Sequence, residues 1–157
     1  MDDLSRAFFF WLKPHIGTDL ALPALGAFGT IPAQVYPRYA AQGRLLRNLM
    51  NTPAWDRLRR DDWMAKQDGW TAAIRESLPG LAPRQAERAA IALAAFSTPS
   101  VWRWLVDITG CSEAEAEFIA QWATEALAAS LQRDPAGLAA KESRRPTPPT
   151  RKQGASS

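Results

Sequence analysis

Few side chains in this sequence could do chemistry, and their spacing argues against catalysis. His15 is the one histidine, with no neighbouring cysteine or second histidine to build a metal site and no partners in place for a nucleophilic relay. It reads either as a helix-end or core histidine or as a polar anchor in a ligand pocket. Asp61 and Asp62, and the series Glu113, Glu115 and Glu117, are carboxylate clusters by count. Residues two apart on a helix face different ways, and the glutamates fall in first turns, where acids complement the helix dipole, so these groups read as structural or solvated. Cys111 is the only cysteine, which excludes an internal disulfide or a CxxC pair and suits a reducing compartment. The chain carries no GxGxxG, P-loop, HExxH or GxSxG. The expectation is a protein that is not an enzyme, with no cofactor and no metal.

The elements that would position these residues are helical. A length of 157 residues is enough for one domain with a real core, and 46% apolar with 22% charged residues is ordinary for a soluble protein. The net charge of +3 sits at the end: Lys141, Arg144, Arg145, Arg151 and Lys152 oppose only Glu142, which leaves 14 basic and 15 acidic groups before them. Residues 134–157, rich in proline and lacking apolar periodicity, are expected to form a disordered basic tail, either simply solvated or weakly drawn to nucleic acid. The folded unit is expected over residues 1–133. The N-terminus Met1-Asp2-Asp3 is acidic where a signal peptide would be basic, and the apolar run from Ala7 to Leu12 is too short to span a membrane, so a cytoplasmic protein without a membrane partner is expected.

Asp3 to about Pro14 can form a short helix, apolar on every side through Phe8, Phe9, Phe10, Trp11 and Leu12, which must then be enclosed. Residues 16–37 are interrupted by glycines and prolines; a short helix near Asp19 to Phe28 and a loop are expected. Arg38 to Asn51 carries an apolar stripe of Tyr39, Gln42, Leu45, Leu46, Leu49 and Met50. Thr52 and Pro53 offer an N-cap and first turn for the next helix, in which Trp63, Trp70, Ile74 and Leu78 share a face, Arg57, Arg59, Arg60 and Asp61 point outward, and Gly69 is the weakest point.

From Glu76 to Leu131 the pattern is two alanine-rich helices folded back on each other. The turn Thr109-Gly110-Cys111-Ser112 supplies a left-handed glycine and a serine N-cap completed by Glu115. Pro99, after Thr98, predicts a kink or break in the first helix. Small residues on that helix permit close approach around Leu93 and Phe96. The second helix carries a broad apolar arc of Phe118, Ile119, Trp122, Ala126 and Leu127, wider than one contact needs, to be covered by a second copy or by helices of the same chain.

These residues resemble a known family. Leu78-Pro79-Gly80-Leu81, the alanine-rich helix, Trp102-Arg103 with Leu105 and Asp107, Gly110, Ser112-Glu113 with Glu115-Ala116, and Trp122-Ala123 with Leu127 look like the C-terminal half of TetR-type transcriptional regulators. Tyr39 to Arg47, followed by Thr52-Pro53, is similar to the helix ahead of that family's ligand pocket. The resemblance implies an all-α domain of antiparallel helices whose last two helices form a four-helix bundle with a second subunit, through Ala89, Leu93, Phe118, Ile119, Trp122, Ala126 and Leu127. It implies a cavity for a small hydrophobic or aromatic ligand, bounded by Tyr39, Leu46, Met50, Trp63, Trp70, Phe96 and Trp102, with His15 and Gln67 as polar contacts. The family's helix-turn-helix head of roughly 50 residues has no counterpart before Arg6, so DNA is expected to be reached only through a head outside this chain, whether lost by truncation or lacking in a headless relative. The competing expectation is a self-contained small helical scaffold with no regulatory role.

Overall fold

The computed structural model describes residues 2–16 and 22–138, and every regular element in them is helical. Helix α1 spans Asp2–Leu12 and runs into a 3₁₀ turn, Lys13–Ile16. A 3₁₀ turn at Leu25–Ala27 precedes α2 (Thr30–Ala41), α3 (Gly43–Met50), α4 (Trp55–Ser77) and α5 (Pro83–Ala95). After a break, α6 (Pro99–Arg103) widens into a π turn at Trp104–Ile108; α7 (Glu113–Arg133) and a closing 3₁₀ turn, Pro135–Leu138, complete the described chain.

The punctuation read from the sequence in the last third is present. Gly110 holds φ 75°, and Ser112 accepts from the Glu115 amide while the Glu115 carboxylate accepts from the Ser112 amide at 2.8 Å. The Ser112 hydroxyl, which donates to the same carboxylate at 2.7 Å, and then the Ser112 amide hold the Glu115 carboxyl below its ordinary range. Thr98 is extended (φ −94°, ψ 148°) and caps α6, with Pro99 in the first turn, where no amide is needed. The broken helix end is satisfied from α2: the Tyr36 hydroxyl donates to the Phe96 carbonyl at 2.8 Å and the Tyr39 hydroxyl to the Ser97 carbonyl at 2.6 Å. Burial pushes both phenols well above their ordinary range, so they remain protonated donors at neutral pH.

Several expectations need correction. Helix α2 was hidden by its own prolines: Pro32 sits in the first turn and Pro37 on the exposed side, where water can take the carbonyl it frees, so the helix survives both. The helix expected near Asp19 to Phe28 lies partly outside the described residues; its described part is the turn Leu25–Ala27, tied to the end of α4 by Leu25 N–H donating to Ser77 Oγ at 3.2 Å. Thr52 does not cap α4. Its hydroxyl instead donates back to the Leu49 carbonyl, and α4 starts at Trp55, then passes through Gly69 unbroken. In α1, Phe9 and Leu12 are buried, yet Phe10 and Trp11 stay more than half exposed, so that helix is not enclosed on all sides within the described chain. The folded part also extends past residue 133: Leu138 packs on the core and its carbonyl accepts from Arg88 at 2.9 Å. The tail beyond it, 139–157, lies outside the described residues.

Packing decides which face of α7 turns inward. Its buried side is Ala116, Ala120, Thr124, Ala128 and Leu131, four small side chains and a leucine, and it lies mainly on α2 rather than on α5, which packs chiefly on α4. The approach is close enough that a Cβ added at Gly29 would run into the Glu125 side chain. The bulky arc of Phe118, Ile119, Trp122 and Ala126 therefore faces outward, not covered by helices of the same chain among the described residues.

Candidate functional site

Helix α4 presents one continuous stripe to a cavity of about 440 Å³: Arg59, Asp62, Trp63, Lys66, Gly69 and Trp70, spaced three and four residues apart. The opposite wall is α2, through Ile31, Val35 and Tyr39. Lys13 and Leu22 close one side, and Ala94, Ser97 and Thr98, at the break between α5 and α6, close another. Each wall has a local cause. Trp70 is held edge-on against Phe28 with ring centroids 5.4 Å apart, Tyr39 is fixed by its bond to the Ser97 carbonyl, and Ser97 and Thr98 are brought there because Pro99 ends the helix.

The stripe changes character along its length. At the N-terminal end Asp62, with a side chain only 3% exposed, is ringed by cations: Lys13 Nζ lies 3.1 Å from Oδ1, and Arg59 and Lys66 donate to Oδ2 at 3.2 and 3.0 Å. Burial pushes the Lys66 ammonium down; Asp62 opposes that, while Lys13 and Arg59 add to it. Trp63 stands among these charges, between Asp62 and Lys66, and beyond Lys66 the lining of Gly69 and Trp70, with Ile31 and Val35 of α2, is apolar. Ser97 Oγ is buried without a hydrogen-bond partner. A smaller cavity of about 210 Å³, bounded by Arg6, Phe9, Phe10, Leu58 and Asp61, shares Lys13, Asp62 and Ala65 with the first, so the charged cluster is the partition between them.

Of the ligand contacts expected from sequence, Tyr39, Trp63 and Trp70 line the larger cavity. The other six lie elsewhere. Leu46 and Trp102 are fully buried core, Trp102 lying edge-on to Tyr39 and beneath the Arg47 guanidinium, 4.7 Å from its ring. Phe96 and Met50 pack on the core, and Gln67 is half-buried on α4 outside the cavity lining. His15 is exposed at the end of α1, its ring stacked on Trp11 and its Nδ1 2.9 Å from the Trp11 carbonyl, the helix-end role. The wall assigned to α3 is supplied by α2 because that helix starts earlier than its prolines suggest. Sequence reasoning missed Lys13, Arg59, Asp62 and Lys66, although the last three follow the same helical spacing as Trp63 and Trp70; Arg59, read as outward, has a side chain only 24% exposed.

The expected interface residues also divide. Ala89 and Leu93 are fully buried within the chain and are unavailable to a partner, because α5 buries that face in its own core. Phe118 (68% exposed), Trp122 (63%), Ile119 and Ala126 are open, with Leu127 half-buried beside them. Trp104 and Ile108, on the π turn that packs against α7, are open as well. The stretch Pro83–Ile108 is long and apolar enough to cross a membrane by length and composition alone, but it is broken at Thr98 and contributes Leu93, Trp102 and Leu105 to the core. No group of three potential metal ligands occurs among the described residues. Comparison with protein-family models, curated proteins and solved structures finds no match to this chain.

Proposed function

We propose that this chain is a ligand-receiving, dimerising domain of the kind its resemblance to TetR-type regulators implies. The observation that carries this reading is the cavity: about 440 Å³, mostly apolar, with a few convergent polar groups, within the size range of small-molecule sites. A second copy is the occupant proposed for the open face of α7. Large apolar side chains left uncovered at helical spacing mark an interaction face, and a two-fold axis would set Phe118 and Trp122 of one copy against the same residues of the other.

The two parts share an element. Helix α2 lines the cavity through Ile31, Val35 and Tyr39 and also carries the main packing against α7. A ligand that favours one position of α2 would bias the position of α7, and with it the arrangement of two subunits, by differential affinity for the two states.

The test is a melting-temperature screen against small aromatic compounds, run in parallel on wild type and Gly69→Leu. Gly69 lines the cavity and a Cβ there meets nothing within 4 Å, so leucine at this position starts into open space at the cavity wall and takes up part of its volume. Compounds that bind the native state must stabilise it. Hits that raise the wild-type transition and leave the variant unmoved support the site; hits that act equally on both, or no hits, favour a helical scaffold without a receptor role.

A further inference from the structure

Resting on the reading of the larger cavity as a ligand site, we infer that its ligand is an organic anion: a carboxylate received by Arg59 and Lys66, joined to a flat apolar body lying along Trp63 and Trp70. The first ground is donor supply. An arginine offers five N–H donors and a lysine three, and Arg59 and Lys66 each give one hydrogen bond to Asp62 Oδ2. Arg59 and Lys66 thus share one carboxylate oxygen at the cavity wall. Among Arg59, Lys66 and Asp62 the stripe carries one more positive than negative charge, in a partly enclosed space where a second anion is received more strongly than in bulk water.

The second ground is layout. Lys66 precedes Trp70 by one helical turn and Asp62 precedes it by two, so the charged and apolar ends are about 6 to 12 Å apart at 1.5 Å per residue. That is the length of a one- or two-ring acid with a short side chain. A neutral aromatic would fill the apolar end and give Arg59 and Lys66 no acceptor of its own.

The test uses matched pairs of arylalkanoic acids and their primary amides, one to two rings in size, with affinity read by tryptophan fluorescence and melting temperature on wild type, Lys66→Met, Arg59→Met and Gly69→Leu. The inference predicts acids binding at least tenfold tighter than their amides. That preference should fall severalfold in Lys66→Met and Arg59→Met, shrink as salt is raised, and give way to loss of both acids and amides in Gly69→Leu. Equal affinity of acid and amide overturns the anion while leaving the cavity as a ligand site. Acid preference that survives both methionine variants overturns the assignment to these residues. No binding anywhere in the series removes the site itself, and the inference with it.

Discussion

Replacing Asp62 by asparagine keeps the volume of the side chain and removes its charge, and the structure allows the cost to be worked out. Three cations stand 3.0 to 3.2 Å from this carboxylate, which is almost fully buried. Removing one partner of a buried ion pair typically costs 3–5 kcal/mol, because the remaining charge is stranded. Here the stranded side chains keep 21–24% of their surface in water and can turn toward it, which brings the cost to the foot of that scale or just below it. The expected loss is about 2–3 kcal/mol. Urea unfolding at pH 7, followed by tryptophan fluorescence, reads it as a lower midpoint at unchanged slope. Adding Lys66→Met to Asp62→Asn removes one stranded cation and should recover about 1 kcal/mol, the signature of coupled neighbours. A loss under about 0.5 kcal/mol, within the range of an ordinary surface substitution, would refute the view that Asp62 organises the partition between the cavities.

Other consequences follow from local structure. Gly69→Ala should stabilise by about 0.5–1 kcal/mol, because a glycine inside α4 costs helix stability and the added methyl meets open space; its denaturation midpoint should rise. Ser112→Ala should cost about 1 kcal/mol by removing the N-cap of α7, read by the same unfolding curve. The Arg47–Asp107 pair, with both hydrogen bonds at 2.7 Å, holds the Asp107 carboxyl below its ordinary value of 3.8, so its contribution is present above that value and lost as pH falls through the lower, folded one. Asp107→Asn should therefore flatten the acid limb of a stability-versus-pH curve, and an unchanged limb would show that the pair contributes nothing.

What the sequence made legible and what it hid have physical reasons. Gly110, Ser112 with Glu115, and Pro99 after Thr98 are local devices whose effect depends on a few neighbouring residues, and each acts as read. Helix α2 was obscured because Pro32 and Pro37 were weighed as breakers without knowing that one falls in a first turn and the other on the open side. Which face of α7 turns inward was not legible, because the buried residues are small and the bulky arc stood out instead. Packing against α2 instead selected Ala116, Ala120 and Ala128, which let the helices approach, and left Phe118 and Trp122 outside. The charged end of the cavity was missed for a related reason: Asp62 was weighed by its neighbour Asp61 rather than by Arg59 and Lys66, one turn before and after it.

The central claim joins a receiver cavity to a subunit face, and native mass spectrometry of the full chain with a two-ring aryl acid reads both at once. The account predicts a species of twice 17.3 kDa carrying up to one acid per chain, and for Trp122→Glu, whose side chain is open in the single chain, a folded species of 17.3 kDa. A wild-type chain found only at 17.3 kDa and free of acid would contradict it.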